Sequence, residues 1–225
     1  FDKWYRSITH DLLDIEIHIP ILFITFDFDE IKLTDKISLI RMNEDMQLSR
    51  HNKTSYIDSS NPIVVGAATH SLVLKGYQVP NKNHSTRDEL LNEINSYSTI
   101  IDVVEKFFSC LRIETGAHSG FSQLVAKSVN WEGNTIGNLE HVNVVSIRNY
   151  PDYFDNFGWL KTPDLISAST INNVKSLFSI SLENQHKRID LALSRLNRSY
   201  LRSREEDTIL DLTMALETLL THDSK

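Results

Sequence analysis

Arg188, Arg195, Arg198 and Arg202 recur at spacings that place them on one side of a helix over about residues 184–202, with Ile189, Leu193, Leu196 and Tyr200 on the other. Between His186 and Arg204 six Lys or Arg residues stand against a single acid, Asp190. Guanidinium groups in such a row can face water, hold phosphates, or pair with carboxylates. The carboxylates that the spacing offers are Glu217 and the Glu205-Glu206-Asp207 cluster at the start of the next helix. A second pattern is Arg112-Ile-Glu-Thr-Gly-Ala-His118, a fixed cation followed at short range by a base of near-neutral pKa, the pair that metal-free phosphoester cleavage needs. It runs off a helix end into a glycine turn. With 11 arginines and 9 histidines in the chain, roughly one such spacing arises by accident, and we read this one so.

Other chemistry is missing from the sequence. It holds no glycine-rich phosphate loop, no His-Glu-x-x-His, no Gly-x-Ser-x-Gly and no Cys-x-x-Cys, so no metal and no cofactor are expected. The single cysteine, Cys110, excludes an internal disulfide framework and reads as a small buried hydrophobe in a reducing, cytoplasmic setting. His18, between Ile17 and Ile19, falls on the polar side of an alternating strand and is expected to be solvated. No apolar run is long enough to span a bilayer. At 225 residues, 40% of them hydrophobic, the chain can bury a good core; a net charge of −7 argues against a surface coated for nucleic acid but allows a local basic stripe.

The elements that must position these residues follow from periodicity. Alternating apolar residues over 15–41 read as strands, with Pro20 separating two runs or marking an edge, and Asn43 caps a short helix through about Arg50. Two more strands are expected at Pro62–Val65 and Ser71–Val79. Thr86-Arg-Asp-Glu89 fits a capping box, and the helix after it repeats Leu90, Ile94, Tyr97, Ile101, Val104, Phe108 and Leu111 at coiled-coil spacing, packed on its own sheet or paired with a second copy. Strands return at about 121–128 and 142–148, and the aromatic run Tyr150–Trp159 reads as a packed connector. Thr162-Pro163-Asp164 opens a helical part. The expected fold is therefore α+β: a strand-rich mixed region over 1–160 with one long helix, then a helical region over 161–225.

The last helix, Arg204–Leu220, carries Ile209, Leu212, Leu216, Leu219 and Leu220 on a broad apolar stripe and Leu210 with Met214 on a second. Asp207 and Asp211 make a narrow polar stripe, and Glu217 falls between the two apolar patches. Such a helix is expected to be covered on both faces, with Glu217 partly desolvated and held by Arg195, Arg188 or a backbone donor.

The run Asp207-x-x-x-Asp211-Leu212-x-x-Ala215-Leu216-Glu217-x-Leu219-Leu220, after an Arg-rich helix, resembles the signature helix of the Apea-like branch of the HEPN superfamily, most densely over 162–220. The resemblance implies a helical HEPN-like bundle behind a large N-terminal region, homodimerisation through the helices, and metal-independent RNA cleavage or RNA binding in bacterial anti-phage defence. Its catalytic Arg-x(4–6)-His would stand on a helix after the Ala-Leu-Glu helix, that is, beyond Lys225. The competing expectation is a non-catalytic module whose N-terminal region senses a partner while its helices dimerise.

Overall fold

The computed structural model describes residues 1–54, 66, 68–81, 99–132, 139–151, 154–155, 162–184 and 186–220. Its centre is β1 (Leu12–Leu22), whose residues from Ile17 onward are buried on both sides. Strand β5 (Ala68–Pro80) pairs with it antiparallel along nearly its whole length, and β6 (Phe121–Ser128) pairs on its other edge. With β3 (Glu30–Lys32), β4 (Ile37–Arg41) and β7 (Val142–Asn149) they form one antiparallel sheet in the order β3-β4-β5-β1-β6-β7. Pro20 lies inside β1. The β1–β6 register runs only as far as His18↔Val125, and pairing resumes as the Leu22 amide donates to Gly120 O, so the ladder is interrupted where proline has no N–H to give.

The chain leaves this sheet at Phe23, whose φ of +66° turns it into the short β2 (Ile24–Phe26). β2 pairs in parallel with β8 (Asp164–Ile166). That corrects the expected helix start: Asp164–Ile166 is taken up by pairing with Ile24–Phe26, and α4 (Ala168–Glu183) begins only after it. Its cap is Ser167, whose hydroxyl accepts from the Thr170 amide at 3.2 Å, while Asp27 Oδ1 accepts from the Ala168 amide. At the other end of the chain Asn43 caps α2 (Glu44–Thr54), accepting from the Met46 amide at 2.8 Å.

One face of the sheet is covered by α3 (Thr99–Thr115) and α4. Val104, Phe107, Phe108 and Leu111 of α3 and Ile171, Val174 and Phe178 of α4 join Ile15, Ile17, Ile19 and Leu124 in a single core. Phe107 meets Phe178 edge to face, with ring centroids 5.9 Å apart, and Phe108 stacks on Phe121. Each such buried ring contributes about 2–3 kcal/mol. The described half of the expected heptad seam, Ile101 to Leu111, is thus packed within the chain; Leu90, Ile94 and Tyr97 lie outside the described residues, as do Pro62–Val65 and Thr86–Glu89. The core runs from the sheet into α4.

The opposite face of the sheet is covered too, which corrects the reading of His18. Strand partners Val73 and Val125 flank it, its Nδ1 lies 3.2 Å from Ser71 Oγ, and it is buried, so desolvation pushes the imidazole below its ordinary pKa despite Glu16 at 3.5 Å. Here Leu22, Phe23, Met46, Val144, Tyr150 and Phe154 form a second cluster, with the Phe23 and Phe154 rings stacked at 3.6 Å. Tyr150 and Phe154 of the expected connector are packed here, while its residues 152–153 and 156–159 lie outside the described residues. The last two helices are α5 (Lys187–Leu201) and α6 (Glu205–Leu220), and α1 (Asp2–Thr9) precedes the sheet with no buried residue.

Candidate functional site

α5 and α6 form a hairpin, and the residue at its centre is Asp211. Arg195 lies on α5 and Arg202 is its C-cap, in extended backbone just past the last turn, and the two reach the same carboxylate. Arg195 Nη1 donates to Asp211 Oδ1 at 3.0 Å and Arg202 Nε to Oδ2 at 2.8 Å, leaving Asp211 2% exposed. Burial alone would raise the Asp211 pKa; the hydrogen bonds and charges of Arg202 and Arg195 outweigh it and hold the carboxyl below its usual value.

This pairing inverts the expected orientation of α6. Asp211 and Ala215 are its buried residues, and the polar stripe faces α5. The leucine stripe faces out: Ile209 is 63%, Leu216 58% and Leu220 76% exposed. Glu217 is exposed with it, so it is not the desolvated carboxylate; the side of α6 that meets α5 carries the aspartate that two guanidiniums reach. Ile189 and Leu191 of α5 are exposed as well, while Ala192, Asn197 and Ser199 are buried. We expect Asp211→Asn to lower stability by about 1–2 kcal/mol, because Arg202, with a side chain 44% exposed, lets solvent screen the pair. Glu217→Gln should cost under about 0.5 kcal/mol. Because the native pKa of Asp211 is depressed, its contribution is complete above the ordinary aspartate range and is lost as pH falls through the lower native value. Denaturant midpoints of wild type and Asp211→Asn should therefore converge as pH falls below the ordinary aspartate range.

The four expected arginines thus divide. Arg195 and Arg202 pair with Asp211, Arg188 is half-buried nearer the start of α5, and Arg198 is exposed. Arg198, Arg202 and Arg204 line an open groove of about 560 Å³ at the α5–α6 turn, with Leu201, Ser203 and Asp207. Asp207 is the one acid in a wall of three guanidiniums.

A second constellation lies where α5 crosses α3. Arg112, 2% exposed, donates from Nη1 to Asn197 Oδ1 and from Nη2 to Ser119 O at 2.8 Å, and its guanidinium sits 5.4 Å from the ring centres of both Phe108 and Tyr200. Burial pushes its pKa down to about 10. Asn197 Nδ2 donates in turn to Glu105 O and to Ser109 Oγ, both at 2.8 Å. His118 is exposed and lies 5.3 Å from the Tyr200 ring, so both members of the Arg-x5-His spacing reach one tyrosine. Arg112 is nonetheless enclosed, with both Nη groups bonded inside the protein, and a polymer phosphate has no path to it. Sequence reasoning missed Asn197; its only signal was an uncharged polar residue beside Leu193 and Leu196 on the apolar side of α5. Cys110 is buried with its thiol pushed up to about 11, which leaves it unreactive. Among the described residues no group of three or more His, Cys, Asp or Glu is placed to hold a metal.

Comparison with known families, with curated proteins and with solved structures found no match to this chain. Fold and geometry define an α+β protein whose antiparallel sheet is backed by two helices and joined to a helical hairpin with a cationic turn. Among the described residues no helix is long and apolar enough to cross a membrane.

Proposed function

We propose that the chain handles RNA, with the α5–α6 turn as its phosphate-binding surface. The observation that carries this is the open groove walled by Arg198, Arg202 and Arg204 on a chain whose net charge is −7. Three guanidiniums against one carboxylate in the lining of an open groove suit backbone contact rather than base reading. The resemblance of α6 to the Apea-like HEPN signature supports the same direction, a role in bacterial anti-phage defence, with metal-independent cleavage where an Arg-x(4–6)-His helix completes the site. Asp211 belongs to this reading as a positioning residue, since it fixes Arg202 at the groove wall.

Arg198→Glu together with Arg204→Glu should weaken binding of a fluorescent single-stranded RNA by at least about tenfold. It should also reduce the slope of log affinity against log salt by about 1 per arginine. These two arginines leave the Asp211 pairs intact, so folding is not confounded. Binding and salt slope unchanged from wild type would rule out the groove as the RNA surface.

One further observation favours a dimerising role for the same hairpin: the uncovered stripe of Ile209, Leu212, Leu216 and Leu219 on α6. We propose a second copy of this chain as its partner. Light scattering should give twice 25.9 kDa for wild type and about half that for Leu216→Glu with Leu219→Glu. A wild-type monomer at the concentrations used for RNA binding would reject this reading.

A further inference from the structure

Between α3 and α5 lie two adjoining cavities of opposite character. The larger, about 130 Å³, is walled by Asp102, Glu105, Lys106 and Asp190. The smaller, about 20 Å³, shares Glu105, Ser194 and Asn197 with it and adds Asn149, Arg112 and Arg198. At the large end three carboxylates stand against one ammonium, and Lys106 Nζ is already 3.5 Å from Asp190, leaving Asp102 and Glu105 in excess. Burial pushes the Glu105 carboxyl above its ordinary pKa, with Asp102 adding to the effect and Arg198 and Arg112 offsetting part of it, so a cation at this end would relieve Glu105.

The small end has the complementary deficit. Arg112 gives its Nη hydrogens to neutral acceptors, and its Nε is buried without a partner. Among the described residues no carboxylate lies within ion-pair distance of it. The faces of Phe108 and Tyr200 offset part of the cost of a buried cation, but they supply no acceptor for Nε–H. Room for about one water-sized atom admits one oxygen of a carboxylate and excludes the three of a phosphate. The larger cavity has space for a short chain carrying an ammonium.

We propose that this cleft binds a small amino carboxylate, an α-amino acid of about glycine to serine size, with its carboxylate against Arg112 and Arg198 and its ammonium between Asp102 and Glu105. The site is enclosed by α3 and α5 and is independent of the RNA reading, although Arg198 lines both.

Titration calorimetry on the full chain with glycine, acetate and methylamine decides it. Glycine should bind at least about tenfold more tightly than either half-ligand, a difference of about 1.4 kcal/mol. Glu105→Gln, which keeps the backbone carbonyl that Asn197 and Ser109 bond, should bring glycine down to the affinity of acetate. Arg112→Gln should abolish both; should that variant unfold, the Glu105→Gln comparison still decides. No heat with glycine would mean that water alone satisfies Arg112 Nε, and equal affinities for glycine and acetate in wild type would mean a simple anion seat. Either result overturns the proposal.

Discussion

Asn197→Ala is expected to cost about 2–3 kcal/mol, read as a shift of the denaturant midpoint at unchanged slope. One small side chain here joins α3 to α5 through bonds to Arg112, Ser109 and the Glu105 carbonyl. Truncation removes all of them from a buried place and leaves an Arg112 nitrogen without its acceptor, while the Ser109 hydroxyl and the Glu105 carbonyl keep their 2.8 Å bond to each other. Most of the cost is therefore the buried Arg112 guanidinium left short of an acceptor rather than the modest net value of three hydrogen bonds. Asn197→Asp separates the contributions: it keeps an acceptor for Arg112, now charged, but loses both donations, and should recover part of the loss. Asn173→Ala, whose amide bonds Glu114 on the surface, should cost under about 0.5 kcal/mol. Equal small shifts for Asn197→Ala and Asn173→Ala would show that α5 is not held to α3 through this residue.

Gly120→Ala should cost about 3 kcal/mol for a different reason. A Cβ at this position would stand 2.1 Å from Asn149 O and 2.8 Å from Tyr150 Cα, and both obstacles are backbone or anchored to it. Neither can turn away. Asn149 pairs with Phe121 across β6 and β7, Tyr150 is packed in the second cluster, and Gly120 O itself accepts from the Leu22 amide at 2.8 Å. Relief requires the end of the β6–β7 ladder to open, and overpacking against immovable backbone lies at the upper end of such penalties. Gly66→Ala, with nothing within 4 Å of the added carbon, should change stability by no more than about 1 kcal/mol, in the stabilising direction if the backbone there suits alanine. A similar midpoint for both variants would mean that the sheet end yields freely.

The order and type of the elements were legible in the residues because they are set locally. Period-two alternation marks β1, β5, β6 and β7, the 3.6-residue period marks α3, α5 and α6, and Asn43 marks the start of α2 through a cap that needs only its own neighbours. The α+β class followed from that order. The arginine row on α5 was legible for the same reason, as was the intramolecular use of the described seam of α3. What the sequence left undecided was which face of each element turns inward. His18 follows the polar side of β1, yet α2 and the Phe23–Phe154 cluster cover that side as well. Asp164 follows a helix-opening pattern, yet parallel pairing with β2, about 140 residues earlier in the chain, claims it first. On α6 the leucine stripe and the narrow Asp207–Asp211 stripe both had a claim to the interior. The choice fell to two arginines, one on α5 and one at its C-cap, which is why Asp211 is buried and Glu217 is not. Periodicity fixes the angle between the faces of one helix; only the side chains that a second helix brings to the contact decide which face meets it.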